Sequence, residues 1–520
     1  MGPRIFFIGK KLIYTNMKDQ KFYSVKNSLL ASEQYLNIND ILYVTDNNTA
    51  YQRFDDHSYI VDNTSVLNCP KILEYKNSRY VAVYGKYFIP KNILINNIRI
   101  PEPEPESFLF TVSILDDNTY IEIPHSDDPS YIHDYDIDYG DGTPILHVSS
   151  YNDLNTRHYY TNGGTYQIKI VGTCETFFVN EDSYNFRYFL ISIDSWGEVG
   201  GLKILKLVSC ENLLTLSNEK GKLTNVTSFA DTFYNCISLT SIPTGLFDNN
   251  INVTSSFDGT FNSCISLTSI PTGLFDYNIN VTSFYATFGG CKSLTSIPSG
   301  LFDNNINVTS FSATFSNCIS LTSIPTGLFN NNINVTSFDG TFGDCTSLTS
   351  IPTGLFDNNT LVTSFNSTFS RCYLLTSIPS GLFDNNTLVT SFNSTFQYCS
   401  TLTTIPTGLF DNNIIVTNFT YTFYYCTSLI SIPSGLFDNN INVTSFDGTF
   451  HYCTSLTSIP TGLFDNNINV TSFADTFYNC ISLTGLAPEL WLSFQAPTRN
   501  YCFYNDTLLT NYNDIPSNWK

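Results

Sequence analysis

The chain has 520 residues, of which 42% are hydrophobic, 15% aromatic and only 13% charged, with a net charge of −21. That length exceeds one ordinary core and calls for about two to four domains. The acidic balance argues against a nucleic-acid binder, whose phosphate contacts need Lys and Arg. With so few charges the surface must be made largely of Asn, Ser, Thr and Tyr, which suits neutral hydrogen-bonding partners such as sugars.

Residues 1–100 alternate apolar and polar positions over short runs, such as 41–44 and 80–84, and predict a small β-rich domain. Thirteen of the 24 Lys and Arg residues precede Pro101, so this module is chemically distinct and is read as an anchor. The apolar run 5–8 is too short for a secretory signal core and meets Lys10 and Lys11. No apolar stretch is long enough to span a bilayer, so no membrane insertion is expected. The chain is expected to fold in a cytoplasm with its cysteines reduced. Residues 101–106 alternate Pro and Glu, a semi-rigid extended spacer.

Residues 107–190 read as a β-sandwich, with strand-like runs at 108–112, 120–123, 135–139 and 166–170 and a tight-turn signal at Gly140-Asp141-Gly142. The segment resembles the polycystic-kidney-disease-type (PKD) module, an immunoglobulin-like fold. The likeness rests on Asp138, Gly140, Asp141 and Gly142, then His158, Tyr160, Gly164 and Tyr166. It implies a spacer or adhesion domain. His125, His133, Asp134, Asp136 and Asp138 cluster in sequence, and loop and turn positions of a sandwich explain them without a metal.

From Cys236 to Cys480 the cysteines fall 27 residues apart, apart from one interval of 28. A fixed period in this range means a stacked solenoid. Residues 191–235 are expected to cap it, 236–483 to form it and 484–520 to close it. Within one copy, Val281, Phe284, Phe288 and Cys291 follow the stripe of a short amphipathic helix. Residues 294–297 then read as a strand with a Thr295-Ser296 hydroxyl pair, and Asp303 opens a turn. One strand and one helical turn per repeat is the α/β leucine-rich plan. The wording of residues 288–298 resembles the BspA-like class of leucine-rich repeats, which implies attachment and surface recognition and transfers no catalytic residue. Cys236 to Cys480 should form a buried column, and Asp506, in the cysteine's place, should mark an end with nothing stacked beyond it.

The framework is nearly invariant between repeats, and variation gathers at two pairs around the second Phe, such as 285–286 and 289–290. Both pairs fall off the apolar stripe and should face solvent. In the later repeats they include Tyr398, Tyr421, Tyr424, Tyr425, His451, Tyr452 and Tyr478. Exposed tyrosines in a row offer flat apolar faces with a hydroxyl rim, suited to sugar rings or protein hot spots. Phosphate loop, nucleophile elbow and paired acids are all missing from the motifs present, so no enzyme, metal or cofactor is expected. The sequence reads as a bacteriophage virion fibre or receptor-binding protein that docks on other virion proteins through residues 1–100. The solenoid would touch a host surface glycan or protein. The alternative is a surface adhesin of a bacterium or protist, placed at the cell surface or secreted. A homo-oligomer is compatible with either.

Overall fold

A computed structural model describes residues 107–180, 186–197, 201–253, 256–493, 498 and 500–520, together with the backbone of the strands between Arg4 and Tyr84. The chain divides into two compact units, Met1–Glu102 and Pro103–Lys520.

The first unit is built of antiparallel hairpins. Arg4–Ile8, Lys11–Asn16 and Lys21–Ser24 form one three-stranded sheet, and Gln34–Ile38, Ile41–Asp46 and Thr49–Ala50 another. Asn68–Tyr75 pairs with Ser78–Tyr84. The expected β-rich character holds for these strands. The Pro-Glu spacer lies outside the described residues.

The second unit opens with two antiparallel layers. The larger sheet has the order Leu146–Val148, His133–Asp138, Gly164–Cys174, Phe108–Ile114, Leu190–Ser195. The smaller pairs Thr119–Glu122 with Arg157–Tyr160. Alternation drives the packing: in Phe108–Ile114 every second side chain is buried. Tyr139 stacks on His158 and Tyr166 on Tyr160, joining the layers. The Tyr160 hydroxyl donates to the Tyr139 carbonyl at 2.9 Å.

Strand Leu190–Ser195, assigned from sequence partly to the solenoid cap, belongs to both structures. One side pairs with Phe108–Ile114, and Ser192 bridges in parallel to Thr215 in the first rung. Thr176–Val179 likewise runs parallel to Ile204–Leu207. The sandwich therefore passes into the solenoid through shared hydrogen bonds.

The solenoid corrects the expected repeat. No helix forms among the described residues of its repeats; the α-helices described in this unit, Phe186–Phe189 and Leu490–Ser493, lie outside the repeats and are four residues each. The stripe from Val281 to Cys291 is a run of tight turns. The amides of Thr287, Gly289 and Cys291 donate to carbonyls three residues back. The amides of Phe284, Ala286, Phe288 and Gly290 instead donate to Ser310, Thr314 and their alternate neighbours Ser312 and Ser316 in the next repeat, at 2.7–3.2 Å. Left-handed residues at Ala286 (φ 51°) and Gly290 (φ 70°) interrupt any helix every four residues. Two turns of four residues put Phe284 and Phe288 on one side, which imitates a helical stripe.

Most of the parallel ladder is displaced from its expected place, which among the described residues bridges only in the later repeats, between Thr404 and Ser431. Bridges link Ser283 to Ser310, Ser310 to Ser337 and so on to Ser472. Thr295 and Ser296 are exposed and contribute only marginal hydrogen bonds, such as Thr322 N to Thr295 O at 3.5 Å.

The interior is a set of columns. Phe284 stacks on Phe311 at 5.8 Å and Phe288 on Phe315 at 5.7 Å, while Phe302 wedges against Phe284 at 4.8 Å. The cysteines are buried and free, each thiol directed at a carbonyl of the previous repeat, as Cys291 Sγ is at Phe261 O. The column expected from their spacing is present. Unforeseen is a column of buried asparagines: Asn359 Nδ2 donates to Phe329 O at 3.1 Å and Asn332 O at 2.9 Å. No helix among the described residues is long and apolar enough to cross a membrane.

A candidate aromatic recognition face

The two variable pairs of each repeat occupy the turns on either side of the second Phe. The second residue of each pair is the left-handed one. In early repeats these positions carry residues that tolerate positive φ, such as Gly290, Asn317, Gly340 and Asp344. From Tyr398 onward five of them carry tyrosine, Tyr398 (φ 61°), Tyr421 (56°), Tyr425 (59°), Tyr452 (58°) and Tyr501 (61°), beside Gly448, Asp475, Asn479 and Asn505. A left-handed non-glycine residue costs roughly 1–2 kcal/mol, and bulky side chains are rare there. The repeat imposes this conformation in every rung, Ala286, Ala313, Ser367 and Arg371 included, so what sets the later rungs apart is the bulk of the rings they carry there.

All seven aromatic residues singled out in the sequence come together, and six of them organise into two adjacent columns. In one, Tyr424 stacks on His451 at 4.5 Å and His451 on Tyr478 at 4.6 Å, and Tyr504 continues the column at 4.7 Å. In the other, Tyr398 stacks on Tyr425 at 4.9 Å and Tyr425 on Tyr452 at 4.4 Å. The columns touch where Tyr424 meets Tyr425 and His451 meets Tyr452. Tyr421 stands edge-on to Tyr424 at 5.2 Å, and its ring fills the space that a β-carbon on Gly448 would need.

Three members escaped sequence reasoning. Tyr501 and Tyr504 belong to the closing rung, where residues 503–505 repeat the wording of 477–479, so a signal existed. Tyr373 reaches Tyr398 edge-on from outside the variable pairs, and Arg371 lies 5.7 Å over the Tyr398 ring.

The face is less open than the sequence implied. Ala286, Ser370 and Ser394 in the variable pairs are buried, and six of the seven aromatic side chains are half-buried, with only Tyr421 counting as exposed at 38%. Stacking along the solenoid consumes the ring faces, so the columns present ring edges and hydroxyl groups. Burial and neighbouring tyrosines push the Tyr424 hydroxyl up to about 12, and Tyr425 and Tyr478 shift the same way. These hydroxyls stay protonated and able to donate. Burial lowers His451 to about 4, so it sits in its stack as a neutral ring.

The regular acidic column sits in the turns. Asp303 closes the turn begun at Gly300, its amide donating to the Gly300 carbonyl at 3.2 Å, and Asn330 does the same job in the next repeat. Asp506 departs from expectation: it is fully buried, both its carboxylate oxygens lack a hydrogen-bond partner, and burial raises its carboxyl to about 8. The terminal segment covers that rung, with Phe503 N donating to Trp519 O.

No protein-family model matches the chain, and no curated protein matches it. Among solved structures it is similar to a leucine-rich cell surface protein from Faecalibacterium prausnitzii A2-165, with 18% identity over 74% of this chain and 94% of that one and a TM-score of 0.25. The region expected from sequence to dock on a virion, residues 1–100, is described by its backbone strands alone. The columns and bridges described above, with Leu294, Leu301 and their equivalents buried among them, make the repeats a parallel solenoid on their own account.

Proposed function

We propose that this chain is a non-enzymatic recognition protein of a cell surface, an adhesin whose target meets the aromatic face of the last repeats. One observation carries the reading: the stacked tyrosine and histidine columns of the last repeats, at pairs where earlier repeats carry Gly289-Gly290, Ser316-Asn317 and Gly343-Asp344. The fold imposes a left-handed turn at these places in every repeat but does not call for rings there, whereas a binding face does.

The preferred target is a hydroxyl-rich glycan. Parallel rows of protonated tyrosine hydroxyls, set on apolar ring edges and nearly free of charge, suit a neutral polymer that both donates and accepts hydrogen bonds. A protein target would draw on the same rings as hot spots. The test is a glycan array and a cell-binding assay with the purified chain, alongside a Tyr421→Ala/Tyr424→Ala/Tyr452→Ala variant. Binding that vanishes in the variant and survives Thr295→Ala/Thr322→Ala supports the reading. Equal binding by a folded triple variant overturns it. Release of cleaved glycan would replace it with an enzyme.

A further inference from the structure

We propose that His125, His133 and Cys174, at one end of the sandwich, form a zinc site. The larger sheet places His133 directly opposite Cys174 in the antiparallel register, and both side chains are buried. His125 follows strand Thr119–Glu122 and lays its ring 4.0 Å from that of His133. One donor atom from each of the three residues lies within 4.8 Å of the others.

Hydrogen bonds prepare the donors. His125 Nδ1 lies 3.0 Å from the Thr176 carbonyl, which only accepts, so that nitrogen carries the proton and Nε2 keeps its lone pair. A ligating histidine typically gives its other N–H to a carbonyl in this way. Nε2 now accepts the Tyr135 hydroxyl at 2.7 Å. His133 Nε2 pairs with Thr176 Oγ1 at 3.3 Å, which leaves Nδ1 buried with no hydrogen-bond partner. A buried polar nitrogen left this way costs about 1–3 kcal/mol, and a metal ion would remove that cost.

The chemistry of the set selects the ion. Two imidazoles and a thiolate suit borderline-soft zinc, which prefers four ligands in a tetrahedron. The fourth position falls to the Tyr135 oxygen or to water. Glu175 is occupied elsewhere, accepting from Ile132 N at 3.0 Å and pairing with Lys203 at 2.7 Å. On ligation the Cys174 thiol releases its proton to solvent and binds as thiolate. Asp134 and Asp136, which alternate with His133 and Tyr135, are exposed on the opposite side and pair with His147 instead.

The full chain, stripped with a chelator, is titrated with zinc and, as a spectroscopic probe, with cobalt. The expected result is one zinc per chain and a thiolate-to-cobalt charge-transfer band. Cys174→Ser and His133→Ala should weaken zinc binding by more than the roughly 10–100-fold that loss of an outer partner costs. Cys291→Ser, in the solenoid column, should leave it unchanged. Absence of the cobalt band from the wild-type chain overturns the proposal without recourse to any variant. So does zinc binding that persists in Cys174→Ser and His133→Ala.

Discussion

The ring of Tyr421 lies over the α-carbon of Gly448, one repeat further on, in the volume that any larger residue would claim. Gly448 itself has a left-handed conformation (φ 57°). Its missing side chain thus serves both the turn and the seating of the neighbouring tyrosine. Gly448→Ala should cost about 1 kcal/mol through the backbone and should also displace Tyr421 from Tyr424. We expect ligand affinity to drop at least about tenfold while the melting temperature changes little. A crystal structure of the variant with Tyr421 unmoved would refute this.

Tyr421 also offers a direct test of strain. Tyr421→Gly removes a ring that is 38% exposed and relaxes a positive φ. Thermal unfolding should show equal or slightly higher stability, with a gain of up to about 1 kcal/mol. Binding should fall. A variant that lost stability and kept affinity would make the ring a packing element.

His451 gives a pH signature. Its folded value of about 4 lies below the ordinary 6.5. Above 6.5 both folded and unfolded states are neutral there, so the stability is fully present. As pH falls from 6.5 towards 4 the unfolded chain takes up a proton that the folded chain refuses, and stability declines. An NMR titration of the His451 ring should find its midpoint near 4, and His451→Phe should remove that part of the acid slope. Binding should be flat between pH 6 and 8 as far as this residue is concerned.

Asp506 acts in the opposite window. Its folded value of about 8 exceeds the roughly 3.9 of an unfolded aspartate. Its folded form therefore holds a proton that the unfolded form has released, and stability falls as pH rises between about 4 and 8, by up to about 1.4 kcal/mol per unit. Asp506→Cys restores the residue used at this position in the other repeats. Chemical denaturation across that range should show a flatter profile for the variant and greater stability at pH 8.

The asparagine column is the most sensitive part of the framework. Asn359→Ala strands the carbonyls of Phe329 and Asn332 inside the solenoid, at a cost of about 1–3 kcal/mol. Asp357→Asn should be nearly neutral, because Asn330 already fills the equivalent turn position. Paired melting curves decide it.

The period, the phenylalanine columns and the buried cysteines were legible because each leaves an invariant apolar letter in every repeat. The turn structure was not. Phe284 and Phe288 stand four apart whether the chain winds as a helix or as consecutive turns, and only the left-handed residues at 286 and 290 separate the two. Ala and Ser at such positions carry no conformational signal, which is why the helix looked sound. The seven aromatic positions were found because they vary where their neighbours do not. That their faces would be spent on one another required the rung-to-rung distance. The partnership of His133 with Cys174 depends on strand register, which no local pattern encodes.

Every rung from Ser283 to Ser472 offers the same amides and carbonyls to the rung on either side. The interface between repeats is therefore indifferent to how many repeats there are. The aromatic columns occupy only the rungs next to the closing segment. A recombination event that copies or deletes one upstream unit would shift that face along the axis by one step and leave its chemistry untouched. Under the proposed recognition role, reach and specificity are written in different parts of the chain, so selection can tune one without disturbing the other.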